Sequence, residues 1–117
     1  MSRKLIELER ELSVGESFST FYGCYGVNCF VYEHKDATIP RLCVEITDSE
    51  RLVVHKRLPL VKEDAMHDKC LITLSGTFED NNINLRLDVL CEDTFMAKLI
   101  FKRECTLDNE WYAKSWY

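Results

Sequence analysis

Between Ile83 and Cys91 apolar and polar residues alternate. Ile83, Leu85, Leu87, Val89 and Cys91 fall on one face, and Asn84, Arg86 and Asp88 on the other. This period of two predicts a strand with one side on a core and the other in water. Leu90 is the exception, an apolar residue on the wet side. The same alternation runs through residues 70 to 78, where Cys70, Ile72, Leu74, Gly76 and Phe78 share a face. It returns at 95 to 103 with Phe95, Ala97, Leu99 and Phe101. Three such runs in succession predict an antiparallel meander.

Register follows from keeping core residues opposite core residues, because a slip of one residue turns every side chain over. A four-residue loop, Glu79 to Asn82, pairs Phe78 with Ile83, Leu74 with Leu87, Ile72 with Val89 and Cys70 with Cys91. A three-residue loop, Glu92 to Thr94, pairs Cys91 with Phe95, Val89 with Ala97, Leu87 with Leu99 and Leu85 with Phe101. On the outer face Asp88 then meets Lys98. Leu71, Leu90 and Met96 form a row across three strands, with Ile100 further along. A contiguous apolar row calls for a cover. The sequence offers residues 2 to 12 or another subunit for that role.

Leu5, Leu8 and Leu12 recur at helical spacing among Arg3, Lys4, Glu7, Glu9, Arg10 and Glu11. The spacing predicts a short N-terminal α-helix with Ser2 as its cap. Alone it is too short to be stable, so its leucine stripe must dock on this chain or on a partner. Residues 16 to 34 read as two strands with a bend at Cys24-Tyr25 between Gly23 and Gly26. Leu42, Val44 and Ile46 mark another strand, with Arg41, Cys43, Glu45 and Thr47 on its outer face. Arg51 to Leu58 is a locally basic strand ended by Pro59, and Leu60 to Asp68 is irregular. Asp108 caps a short helix carrying Trp111, Tyr112 and Trp116, or those residues form an extended tail. The fold class is therefore mainly β: an antiparallel β-sandwich or open barrel of about seven strands with a short N-terminal α-helix. It reads as a single domain over 1–117: a helix in 1–15, a β-sandwich in 16–105 and an aromatic segment in 106–117.

A chain of 117 residues with 46% apolar content can build one real core. The net charge of −5 argues against a general binder of nucleic acid or of membrane surfaces, which needs a positive field. No apolar run approaches the roughly 20 residues that span a bilayer. Charges in Met1–Glu9 do not fit a secretory signal. Six cysteines are spread about one per strand, which suggests free thiols, a reducing compartment, and a cytoplasmic or nuclear location.

No phosphate-cradling glycine loop or catalytic signature occurs. The one metal-like constellation is Cys24, Cys29 and His34, with Cys43 beyond. Strand parity opposes it, since His34 falls opposite the Cys29 face, so no metal or cofactor is expected. The basic stretch Arg51–Arg57 reads as a solvated face. Trp111, Tyr112 and Trp116 either pack over an open end of the fold or dock a partner, since such side chains dominate binding hot spots.

Thr20-Phe21-Tyr22-Gly23-Cys24 resembles the opening strand of the nucleoplasmin-core histone chaperones, which implies a histone-chaperone function as one alternative. The family's acidic tracts are missing. The function expected from the residues is a non-catalytic protein–protein interaction module, part of a homo-oligomer or a complex. The candidate contact residues are Leu5, Leu8, Leu12, Leu71, Leu90, Met96, Ile100, Trp111, Tyr112 and Trp116. The other alternative is a small-ligand carrier or enzyme using a barrel interior.

Overall fold

In a computed structural model, residues 3–33, 38–80, 82–103 and the backbone of 111–116 are described. The strands in chain order are β1 (Lys4–Ser13), β2 (Ser17–Tyr22), β3 (Tyr25–Glu33), β4 (Pro40–Asp48), β5 (Arg51–Pro59) and the short β6 (Val61–Lys62) and β7 (Ala65–Met66). Then come β8 (Lys69–Glu79), β9 (Asn82–Cys91), β10 (Thr94–Arg103) and β11 (Trp111–Trp116). One sheet has the order β1-β8-β9-β10-β11, a second β2-β3-β4-β5, and β6-β7 form a small hairpin. Every ladder among the described residues is antiparallel. The predominance of antiparallel β structure agrees with the alternation in the sequence.

The N-terminal helix is not found. Residues 4 to 13 form β1, and no helix occurs among the described residues. Ile6 and Leu12 are buried, Leu8 is partly buried against the same cluster, and Leu5 points outward at 80% exposure. The inward set is thus Ile6, Leu8 and Leu12, which has strand parity; the helical set Leu5, Leu8 and Leu12 is split between two faces. Helix-forming composition is only a weak prior. As a strand, the segment pairs with β8 all along, from Lys4 opposite Phe78 to Ser13 opposite Lys69. It fills β8's otherwise open edge and buries two large apolar side chains, each worth roughly 1.5–3 kcal/mol. A lone helix of that length has neither gain.

The meander keeps the expected register in its first hairpin: Leu71 opposes Leu90, Leu74 opposes Leu87 and Phe78 opposes Ile83. In the second, Ala97 still meets Val89 and Phe101 meets Leu85, but by another route. The loop is the pair Glu92-Asp93, both with positive φ (48° and 64°), and Thr94 already pairs with Cys91. Such a primed turn matches the twist of the flanking strands. Left alone it would set core Ala97 against polar Asp88. A bulge at Met96 absorbs the mismatch, so Phe95 pairs with Leu90 on the outer face and Met96 turns inward. Met96 is therefore a core residue, 1% exposed, and not part of the outer row.

A matching bulge at Val53 follows the Ser49-Glu50 turn of β4–β5. The β2–β3 loop is Gly23-Cys24, one residue earlier than the expected bend, since Tyr22 pairs with Tyr25. Residues 61–66, expected to be irregular, make the β6–β7 hairpin.

One buried apolar cluster draws on both sheets, including Val27, Cys29, Leu42 and Ile46 from the four-stranded sheet and Leu74, Leu85, Leu87 and Phe101 from the five-stranded one. Polar groups link the sheets at one end. Arg103 on β10 forms an ion pair with Asp48 on β4 and donates a hydrogen bond to the Tyr25 hydroxyl at 3.1 Å. Its guanidinium carbon lies 5.6 Å from the centre of the Tyr25 ring, which meets Phe78 edge-on at 6.2 Å. Burial pushes the Tyr25 hydroxyl above its usual ionisation range, and Arg103 opposes that shift.

At Gly76 β8 leaves no room for a side chain against β9. Its φ is +147°, and a Cβ there would collide with the Asn84 carbonyl oxygen. Gly76→Ala should therefore cost more than about 2 kcal/mol in urea unfolding, whereas the neighbouring Ser75→Ala should stay within about 0.5 kcal/mol. Equal stabilities would contradict this close approach.

Candidate functional site

Outside the core the chain presents two distinct sheet faces. On the five-stranded sheet, Leu71 and Leu90 are directly paired on the outer face and remain partly exposed. They line a groove of about 290 Å³ whose borders include Glu11 on β1, Lys69 on β8, and Glu92 and Asp93 in the β9–β10 turn. Leucines with three carboxylates and one ammonium around them make an apolar groove with a net acidic border. Glu92 also lies 3.6 Å from Nδ1 of His67, a side chain only 7% exposed. Phe95 continues the row beyond Leu90 at 46% exposure, and Lys62 Nζ donates to its carbonyl at 2.7 Å.

The other candidate residues disperse. Leu5 lies on this outer face, while Leu8 and Leu12 turn to the core. Of the segment 2 to 12 offered as a cover for the Leu71–Leu90 pair, residues 4 to 12 lie beside it in the same sheet, with Glu11 opposite Leu71, and do not cover it. Ile100 is outward and partly buried, with Arg86 opposite. Asp88 does oppose Lys98, yet its ion pair is with Arg86 on its own strand at 3.0 Å. Trp111, Tyr112 and Trp116 belong to β11, at register positions opposite Arg103, Lys102 and Lys98. Asp108 and Cys105 lie outside the described residues.

The outer face of the four-stranded sheet carries a cluster that the sequence reading missed. Cys43 and Glu45 leave β4 on one side, and His55 sits opposite Glu45 on β5. Nε2 of His55 is 3.1 Å from Sγ of Cys43, which lies 3.8 Å from Oε1 of Glu45. The bulge at Val53 creates this meeting. Without it, the Ser49-Glu50 turn would pair His55 with Val44 and aim it at the core; with it, Val54 meets Ile46 and His55 turns outward. The cysteines of the metal-like spacing that strand parity opposed, Cys24, Cys29 and Cys43, do not come together. Cys24 is exposed in a turn, and Cys29 faces the core, opposite in direction to Cys43. His34 lies outside the described residues.

The five described cysteines are free. Burial first, then neighbouring Cys70 and Cys43, pushes the Cys29 thiol to about 12. Burial with Cys91 and Glu11 does the same for Cys70, also to about 12. Cys91 rises to about 11 through burial and Glu92, and Cys43 to about 11 through burial and Glu45, against a lowering by Arg57.

A space of about 160 Å³ opens between the sheets, lined by Leu42, Val44, Leu58, Ala97 and Leu99 among others. Lys56 and Arg57 also line it, and its volume is below the roughly 300–1,000 Å³ typical of ligand pockets. No described helix is long and apolar enough to cross a membrane. Comparison with protein-family models, with curated proteins and with solved structures finds no match.

The raised thiols set an alkaline limit on stability. An unfolded cysteine ionises near 9.0, whereas folded Cys29 and Cys70 hold their protons to about 12. Below pH 9 both states are protonated. Above it only the unfolded chain loses protons, so stability falls as pH rises toward 12. The urea midpoint should be lower at about pH 10.5 than at about pH 8, and Cys29→Ala should flatten that dependence. A midpoint that holds steady would contradict the burial of these thiols.

Proposed function

We propose that the chain is a two-layer β-sandwich that works as a non-catalytic protein–protein interaction module. The Leu71–Leu90 groove is its docking surface. The partner is a basic segment with an apolar anchor. The supporting observation is the combination of directly paired leucines with Glu11, Glu92 and Asp93 around them, in a chain of net charge −5. Apolar contact supplies affinity at the centre, and the acidic border selects charge and speeds encounter. A histone chaperone, the alternative raised by Thr20–Cys24, would also engage a basic partner. Those residues lie on β2 and its turn, in the other sheet.

A labelled peptide of two leucines flanked by lysines tests the proposal by fluorescence anisotropy. Binding should weaken with added salt. Leu90→Lys should weaken it at least tenfold, and Glu92→Lys by a smaller factor, with melting temperatures close to the parent's. Unchanged binding by folded Leu90→Lys would overturn the proposal. If the parent is a dimer by light scattering and Leu90→Lys a monomer, the occupant is a second copy of this chain rather than a basic partner.

A further inference from the structure

The cluster on the four-stranded sheet is independent of the groove and carries its own inference. Sγ of Cys43, a carboxylate oxygen of Glu45 and a ring nitrogen of His55 all lie within 4.8 Å of one another. A tetrahedral zinc ion, with bonds of about 2.3 Å to sulfur and 2.0–2.1 Å to nitrogen or oxygen, holds its ligand atoms roughly 3.3–3.6 Å apart. The separations from Sγ, 3.1 Å to His55 and 3.8 Å to Glu45, bracket that range. Rotation of the Glu45 and His55 side chains, whose ligand atoms lie within 4.8 Å of one another, would bring all three donors onto one ion. The backbone already supplies the rest: two ligands on alternate residues of β4, the third on the adjoining strand.

We propose that Cys43, Glu45 and His55 bind a zinc ion, with solvent in the fourth coordination position. The donor set determines the metal class. A thiolate and an imidazole favour zinc and its neighbours over magnesium or calcium, which take oxygen ligands. Binding replaces the Cys43 S–H bond with an S–Zn bond and releases that proton to solvent. The thiolate and carboxylate together then balance the charge of the ion. Arg57, opposite Cys43, and Arg41, two residues before Cys43, are cations on the same face. They temper the affinity. Cys43 is almost fully buried and His55 is exposed, so the ion would sit at the surface with its sulfur ligand shielded.

The competing reading is a thiol that shares a hydrogen bond with His55 and binds nothing. Metal-stripped protein, titrated with zinc against a chromophoric chelator, separates the two. One equivalent should bind, and His55→Ala and Glu45→Gln should each weaken it more than tenfold. With cobalt instead of zinc, a thiolate-to-metal charge-transfer band should appear. It should vanish in Cys43→Ser and persist in Cys24→Ser. Absence of stoichiometric zinc binding overturns the proposal. So does a cobalt band that survives Cys43→Ser, which would place the metal on another thiol. Should Cys43→Ser fail to fold, His55→Ala decides alone, since it replaces an exposed side chain; unchanged zinc affinity in that variant rejects the site.

Discussion

Antiparallel pairing fixes which side of each strand faces the shared core, and nearly everything else depends on that parity. A two-residue primed turn at the end of a ladder determines the pairing beyond it. Where that pairing would aim polar residues inward, the chain inserts one residue. Met96 does this in β10 and Val53 in β5. Both bulges rescue the core, and both have consequences on the outside. The first turns Phe95 outward beside Leu90. The second turns His55 outward beside Cys43 and Glu45. The His55 cluster is thus a by-product of keeping the interior apolar, whereas the Leu71–Leu90 pair comes from the regular register of β8 and β9.

The ends of the core are handled differently. At one end the Arg103–Asp48 ion pair and the Tyr25 hydroxyl join β10 to the opposite sheet. A charge in that position must be paired, because an unpaired one would be costly once shielded from water. At the edge of the five-stranded sheet β1 covers the open side of β8. Its outward residues Glu7, Glu9 and Glu11 make that margin acidic, while β10 offers Lys98 and Lys102 on the same face. Charge therefore runs from negative to positive across the sheet, and the Leu71–Leu90 groove lies toward its negative side.

The meander was legible because its alternation is long: core parity puts Leu85, Leu87 and Val89 on the same side as Leu74 and Ile72. The first strand was not. Leu8 and Leu12 fit a helix with Leu5 and a strand with Ile6, and the surrounding Glu, Lys and Arg favour the helix locally. Only the vacant edge of β8, a tertiary fact, decides for the strand. The Leu71–Leu90 contact was visible from the sequence, whereas the place of Met96 was not, because a bulge leaves no mark in a hydrophobic pattern. For the same reason the faces of Cys43 and Glu45 were read correctly while their meeting with His55 was missed. The zinc-like spacing Cys24-x4-Cys29 was already opposed by strand parity, and its two cysteines lie apart, Cys24 exposed in a turn and Cys29 in the core.

Residues 4 to 13 complete the five-stranded sheet and do not cover the Leu71–Leu90 pair. Nuclear Overhauser contacts in solution test this arrangement directly. The account predicts cross-strand contacts linking Leu8 with Leu74 and Leu12 with Cys70, and none from residues 4 to 9 to the methyls of Leu90. Sequential helical contacts between residues three apart in this segment, with its leucine methyls against Leu71 and Leu90, would contradict it.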